Sequence, residues 1–158
     1  MEATKTIRKT LTTSTFDVFE KMFFIFLEVS NAGVRQYDLV TSVHFSGPLD
    51  GEIQLGLSDS LAQAMVENML SVNRSDVTQA MKEDCAKEAV NMIAGQFVRS
   101  LDSTKIIHLA LPVCFAGALA VQQGIAGPDL ERCLSLESEK GHLSVLASLK
   151  DYGLNNGS

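Results

Sequence analysis

The spacing of hydrophobic and polar residues along this chain predicts helices and β-hairpins. Residues 14–30 predict a helix, which Ser14 or Thr15 can cap. The second half of this helix is apolar almost all round, which is typical of a helix buried on more than one side. In residues 38–46 and 52–58, the residues that would face one side of a strand alternate with those that would face the other, and this period of two predicts a hairpin. Turn-forming residues stand between the two strands: Gly47, Pro48, Asp50 and Gly51.

The remainder of the chain continues this alternation of helices and strands. Four elements are predicted: a short helix from Ser58 or Asp59 to Met69, a long helix from Asp76 to about Leu101, a strand over 106–111, and a final hairpin formed by 130–136 and 142–149. No element is assigned to 113–128, where small apolar residues and glycines give no clear period. The order of elements predicts an α+β domain, with long helices packed on a largely antiparallel sheet.

The long helix contains the most informative residues of the sequence. Within the run DCAKEAVNMIAG, four residues project within about 60° of one another. We call them the polar stripe: Asp84, Glu88, Asn91 and Gly95. The opposite side of the helix is apolar: Ala86, Val90, Ile93 and Phe97.

Two members of the polar stripe are unfavourable inside a helix. The amide of Asn91 competes for backbone hydrogen bonds, and Gly95 costs about 1 kcal/mol relative to alanine. A glutamate and an asparagine three residues apart are otherwise common on solvated helix faces. The two costs on one face of a well-built helix therefore predict that another molecule approaches closely there.

At the polar stripe, D-x-x-x-E-x-x-N-x-x-x-G resembles the motif of the CheC/CheX/FliY phosphatases of bacterial chemotaxis, and NMIAG resembles CheX in particular. The flanking sequence is also similar: an N-terminal helix containing VFE, a hairpin with FSGPLDGEIQLGL, and a helix before the motif. The similarity extends from about Thr15 to Lys150. We therefore expect one CheX-like domain over 1–158, with its ordered core at about 14–150.

The resemblance implies a CheC-like pseudo-repeat of helix and strand units, and it implies that the substrate is the phosphoaspartate of a CheY-like response regulator. Asn91 is expected to position the attacking water, and Glu88 to pair with a lysine beside the phosphate. Asp84 is expected to add a second ionic contact, and Gly95 to let the two surfaces come close. The sequence has no metal cluster of its own, so Mg²⁺ is expected to come with the regulator.

The pseudo-repeat can be tested by aligning the first helix with the long one. Setting Glu20 opposite Glu88 places apolar residues opposite the polar ones: Phe16 at Asp84, Phe23 at Asn91 and Leu27 at Gly95. On this alignment the chain has one site rather than two, as in the CheX-type chains that it resembles.

Two other functions remain open from the sequence alone. The polar stripe can dock a regulator, or another chemotaxis or two-component signalling protein, without positioning water, as an adapter module does. The apolar helices and sheet edges are also compatible with a structural dimerisation domain. The resemblance allows a homodimer, but the sequence does not fix one.

Composition and charge exclude several further classes of protein. The chain has 158 residues, of which 46% are hydrophobic and 20% charged, as in a globular domain. A net charge of −6 and a pI near 5.0 argue against nucleic acid as a partner. The apolar stretch 22–27 is too short to span a membrane. No secretory signal is visible, so we expect a cytoplasmic protein.

Cysteine and histidine give no second candidate site. Three cysteines without C-x-x-C spacing make disulfides and zinc unexpected: Cys85, Cys114 and Cys133. We expect Cys85 to be a small core residue. Three scattered histidines in strand-like segments are expected to be edge or core residues: His44, His108 and His142.

Overall fold

This computed structural model describes residues 2–31, 37–101, 104, 106–116 and 133–150. These residues form three α-helices and seven strands. The helices are α1 (Glu2–Phe23), α2 (Asp59–Leu70) and α3 (Gln79–Leu101). The strands are β1 (Glu28–Val29), β2 (Leu39–Ser46), β3 (Asp50–Leu57), β4 (His108–Leu109), β5 (Val113–Ala116), β6 (Cys133–Ser138) and β7 (Gly141–Lys150).

All seven strands belong to one sheet in which every pairing is antiparallel. The strand order is β1-β6-β7-β3-β2-β4, and β5 pairs with β2 further along the same edge. β3 lies at the centre, with Ile53 opposite Val43 on β2 and opposite Ala147 on β7. The predicted α+β fold with a largely antiparallel sheet is confirmed.

The helices pack on the sheet and enclose the main hydrophobic core. α3 lies on β2 and β3, and α1 packs alongside α3. The ring of Phe97 on α3 lies 6.5 Å from that of Phe45 on β2. The apolar side predicted for the long helix is fully buried: Ala86, Val90, Ile93 and Phe97. This packing fixes the rotation of α3 and so decides which of its residues face outward.

The first predicted helix is wrong at both ends. α1 begins at Glu2 instead of residue 14, so Thr15 is a buried residue of its middle, and its hydroxyl donates to the carbonyl of Leu11 over 2.8 Å. α1 ends at Phe23 because Phe24 adopts a left-handed conformation with φ 55°. Residues up to 30 therefore cannot continue the helix, and the part beyond Phe24 contributes β1 instead.

The earlier end of α1 also changes the pseudo-repeat alignment. Leu27 lies outside the helix, so its pairing with Gly95 is wrong. Phe16 and Phe23 do lie on α1, where Phe23 is fully buried and Phe16 is partly buried. The apolar stripe predicted for the first helix is thus present only as far as Phe23.

The first hairpin is confirmed as β2 and β3, but its turn is shorter than the sequence predicts. Gly47 has φ 132°, and its amide donates to the carboxylate of Asp50 over 2.9 Å. Asp50 and Gly51 already belong to β3, where Gly51 faces Phe45 on one side and Leu149 on the other. A glycine expected in the turn is therefore a strand residue.

The capping residues of the two later helices differ in how well the sequence predicts them. Ser58 caps α2 as predicted, since its hydroxyl accepts from the amide of Leu61 over 3.3 Å. Asp76 does not open α3: it belongs to a 3-10 turn that ends there. α3 begins at Gln79, with the hydroxyl of Thr78 accepting from the amide of Met81 over 3.1 Å.

The C-terminal strands follow the prediction in outline. The strand predicted over 106–111 is reduced to the two residues of β4, and the final hairpin is confirmed as β6 and β7. β5 occupies the start of 113–128, where the sequence predicts no element. The rest of that segment and residues 130–132 of the predicted hairpin lie outside the described residues.

Candidate functional site

The outward face of α3 carries three members of the polar stripe, Asp84, Glu88 and Asn91, because burial of the apolar side directs these positions away from the sheet. Asp84 and Glu88 are exposed, and Asn91 is partly buried. Glu88 and Asn91 are three residues apart and therefore lie next to each other, about one helical turn apart. The structure thus brings together the two residues that the sequence predicts to be catalytic.

Neither of these two side chains is occupied by other parts of the described chain. Among the described residues, Glu88 and Asn91 make no hydrogen bond and no ion pair. The neighbouring Gln96 of α3, in contrast, donates to the carboxylate of Asp17 on α1 over 2.9 Å. The carboxylate of Glu88 and the amide of Asn91 are therefore available to bind another molecule.

Gly95 is the one member of the polar stripe whose surroundings differ from the expectation. It is buried instead of open to solvent. A Cβ at this position would stand 3.6 Å from Nη1 of Arg99 and 3.8 Å from a methyl carbon of Leu109. A partner approaching α3 would meet the side chains of Arg99 and Leu109 before it met the glycine.

Replacing Gly95 is expected to separate a folding effect from a functional one. Gly95→Ala should raise the free energy of unfolding by up to about 1 kcal/mol, because alanine favours the helix and its Cβ would make only ordinary van der Waals contacts. Gly95→Leu should displace Arg99 or Leu109 and weaken binding of a partner at the polar stripe. Thermal melts and a binding titration measure the two effects. Unfolding of the Gly95→Ala variant would contradict this account.

Burial disfavours the thiolate form of the two cysteines near the polar stripe, Cys85 and Cys114. Cys85 is buried, as predicted, and burial, with smaller effects from the charges of Asp84 and Glu88, raises the pKa of its thiol. Cys114 on β5 lies 3.9 Å from the carbonyl of Glu83, and burial raises its pKa to about 11. Both sulfurs are protonated near neutral pH and are poor nucleophiles in that form.

The histidines and acids of the described chain offer no metal centre. Nε2 of His44 lies 3.5 Å from a carboxylate oxygen of Glu52, and the ring of His142 packs 5.4 Å from that of Tyr37. His108 is exposed in β4. Within the residues that the structure describes, no three His, Cys, Asp or Glu side chains are grouped as metal ligands would be.

The polar stripe is not part of the main clefts that the described residues form. Three clefts formed by described residues lie elsewhere: beside Phe24 and the β6–β7 turn, along the ends of β2 and β3, and between α1 and Ser100. None of the three is lined by a residue of the polar stripe. Small-molecule sites are typically concave, so this surface suits a macromolecular partner better than a free metabolite.

Sequence reasoning missed three residues that border the polar stripe. Arg99 continues the four-residue spacing of Asn91 and Gly95, and that spacing was a signal that could have found it. Met92 is 42% exposed beside Asn91. Leu109 comes from β4, and only the tertiary structure brings it to Gly95.

Comparisons with known proteins agree with this fold. The family model described as "Chemotaxis phosphatase CheX" matches residues 39–126, which include the polar stripe. No curated protein sequence matches the chain at a significant level. None of the helices among the described residues has both the length and the apolar character needed to cross a bilayer.

Several solved structures share the fold at low sequence identity. The chemotaxis protein CheX of Vibrio vulnificus is 18% identical, with a TM-score of 0.74 over 90% of this chain and 95% of its own. A CheX–CheY–BeF3–Mg²⁺ complex from Borrelia burgdorferi is 14% identical, with a TM-score of 0.66 over 89% of this chain and 96% of its own. FliY of Thermotoga maritima is 16% identical, with a TM-score of 0.61 over 95% of this chain and 91% of its own.

Proposed function

The chain belongs to the CheX family of chemotaxis phosphatases, and from that premise we propose that it hydrolyses the aspartyl phosphate of a CheY-like response regulator. The observation that carries this proposal is the pair of side chains on α3: Glu88 and Asn91 lie next to each other, face outward and are not bound by other described residues. One structure with this fold is a complex of CheX with CheY, BeF3 and Mg²⁺, which supports a regulator of the same class as the partner here.

Asn91 is proposed to position the water that attacks phosphorus. An acyl phosphate is already activated, so its hydrolysis depends mainly on placing a water in line with the bond that breaks. The amide oxygen of Asn91 can accept a hydrogen bond from that water while its NH₂ group donates elsewhere, and the group does not titrate. Its partial burial restricts the side chain, which helps to hold the water in one place.

Glu88 is proposed to dock the regulator instead of touching the phosphate. Its carboxylate and the phosphoryl group carry like charges, so direct contact would be repulsive. A lysine next to the phosphorylated aspartate can instead pair with Glu88, and this pairing brings Asn91 into position. Asp84, one turn earlier and exposed, adds a second contact of the same sign. Gly95 contributes indirectly, because the absence of a side chain there leaves the space that the side chains of Arg99 and Leu109 border.

The regulator is proposed to bring the Mg²⁺ that the reaction uses. The ion would neutralise charge on the phosphoryl oxygens, which is its usual role in phosphoryl transfer. This chain would then need to supply only the water-positioning amide and the docking carboxylates.

Decay of a phosphorylated regulator tests the proposal directly. A CheY-like receiver domain is labelled on its aspartate, and loss of the label is followed with and without this protein. The proposal requires faster loss. Binding of the phosphorylated receiver without faster loss would favour the adapter function, which the same outward-facing carboxylates also support.

Removing the Glu88 carboxylate should weaken docking more than chemistry. Glu88→Ala is expected to lower affinity for the activated receiver about tenfold, as for the loss of one charge-assisted hydrogen bond, and to leave the maximal rate largely unchanged. Wild-type affinity should also fall with added salt, and more steeply than that of the variant. Titrations at several salt concentrations measure both effects.

The matched control for this variant is Glu20→Ala, which removes an exposed glutamate from α1. It should change neither affinity nor salt dependence. Equal behaviour of the two variants would contradict the docking role of Glu88.

Self-association and a cytoplasmic location remain predictions. The outer sheet edge supports the first, because β4, β5 and their flanks expose apolar side chains: Ile106, Leu109, Leu111, Val113 and Phe115. Light scattering on the purified protein measures its oligomeric state.

A further inference from the structure

Arg99 belongs to the outward face of α3, although the function described so far does not use it. Asn91, Gly95 and Arg99 follow one another at four-residue intervals and therefore lie along one line of the helix. Nη1 of Arg99 lies 3.6 Å from where a Cβ of residue 95 would stand. The arginine thus folds back over the glycine, towards Asn91.

This folded-back position brings the charge of Arg99 close to Asn91. The Cα atoms of Asn91 and Arg99 are separated by about 12 Å along the helix axis, at 1.5 Å per residue. Side chains on a helix point towards its N-terminus, and at Gly95 no side chain occupies the space into which Arg99 extends. The guanidinium therefore lies about one turn from Asn91.

Arg99 makes no ion pair and no hydrogen bond with any described residue. Two other cations on the helices pair with carboxylates: Lys21 lies 3.8 Å from Asp17, and Lys82 lies 2.7 Å from Asp59. Lys9 and Lys87, like Arg99, make no ion pair with a described residue. A cation in the last turn of a helix is favoured by the helix dipole. That effect explains a positive charge at this end of α3, but it leaves all the hydrogen-bond donors of the guanidinium available.

Most of the charges along this face of α3 change sign at Asn91; the exception is the partly buried Lys87, four residues before Asn91. Asp84 and Glu88 lie on the N-terminal side of Asn91, and Arg99 lies on the C-terminal side. A partner with a lysine on one side of its phosphate and a carboxylate on the other would match this pattern in one direction only. Docking in the reverse direction would place like charges against each other.

We infer that Arg99 is a second docking residue, which binds a carboxylate of the regulator on the side of the phosphorylated aspartate opposite to the lysine that pairs with Glu88. The inference rests on the proposed function and deepens it. The planar guanidinium can bind a carboxylate through two parallel hydrogen bonds, which fixes orientation as well as position. Together, Glu88 and Arg99 hold the regulator in the direction that puts its phosphate at Asn91.

Substitution of Arg99 tests this inference with a receiver domain activated by BeF3⁻ and Mg²⁺ as the binding probe. Arg99→Ala should weaken binding about tenfold, and Arg99→Glu should weaken it further. Arg99→Lys should recover part of the loss, since it keeps the charge without the two parallel hydrogen bonds. With the phosphorylated receiver, KM should rise while the maximal rate stays near that of the wild type. Thermal melts verify that each variant is folded.

The matched control is Arg74→Ala, which removes an exposed arginine from the turn before α3. It should leave binding unchanged. A lysine scan of the receiver's surface acids should also identify one position at which the new lysine restores binding of Arg99→Glu. Such a rescue depends on a direct contact and would not follow from a structural role of Arg99.

The outcomes distinguish this inference from the function on which it rests. If Arg99→Ala binds as tightly as the wild type while Asn91→Ala loses activity, the docking role is overturned and the phosphatase function stands. If Arg99→Ala weakens binding but the wild-type protein does not accelerate phosphate loss, the docking role stands and the phosphatase function fails. A fall in the maximal rate with unchanged affinity would also overturn the docking role.

Discussion

Asn91→Ala is expected to reduce the rate of regulator dephosphorylation on the order of a hundredfold. The reason is that a methyl group cannot accept a hydrogen bond, so the water loses the contact that holds it in line with phosphorus. Affinity for the activated regulator should change little, because the residues proposed to dock it, Glu88, Asp84 and Arg99, are unchanged. Phosphate loss at saturating protein concentration is the appropriate measurement.

The control for this variant is Asn73→Ala, which removes an exposed asparagine whose side chain makes no cap hydrogen bond. It should leave the rate unchanged. Both variants should melt within a few degrees of the wild type, because neither substitution disturbs the core. If the Asn91 variant retains the wild-type rate, the enzyme function is excluded for this site and the adapter function takes its place.

Gly51→Ala is expected to lower the free energy of unfolding by about 3 kcal/mol, the largest change in stability that we predict for an alanine substitution here. A Cβ at residue 51 would stand 2.3 Å from the carbonyl oxygen of Ser148 and 2.8 Å from the ring of Phe45. The carbonyl belongs to the backbone of β7, so relief of this overlap requires β3 and β7 to move apart. Chemical denaturation measures the difference between variant and wild type.

Gly95→Ala is the matched control, since the same substitution there meets nothing closer than 3.6 Å. The melting temperatures of the two variants should differ in direction: that of Gly51→Ala should lie below the wild-type value, and that of Gly95→Ala at or above it. Equal stability of Gly51→Ala and the wild type would show that the sheet can adjust at β3 and would contradict the prediction.

Local sequence patterns account for much of the fold. The alternation over β2 and β3, the cap of α2 at Ser58, and the apolar side of α3 are all present as predicted. These features depend on neighbouring residues, because strand and helix periods and N-caps act within a few positions of the chain. The orientation of Glu88 follows from the same patterns, since burial of Ile93 and Phe97 turns it outward.

Other boundaries depend on contacts between distant segments. α1 ends at Phe23, whose carbonyl accepts from the side-chain amide of Asn68 on α2 over 2.8 Å. No local signal in the run 22–27 predicts this end, because its apolar residues are compatible with either a helix or a strand. Gly51 similarly looks like a turn residue in the sequence, and only its two neighbouring strands show that it pairs within the sheet.

The candidate site also has features that the local sequence determines and features that depend on tertiary contacts. The sequence by itself determined that Glu88 and Asn91 lie together on one face of α3, because their spacing and the apolar side of that helix are local properties. Only the tertiary structure decided the surroundings of Gly95, because Leu109 reaches it from a strand that follows α3. It also decided that Arg99 lies over this glycine without a carboxylate partner among the described residues. Contacts between segments far apart in the chain depend on how the helices settle on the sheet, and no period in the sequence encodes them.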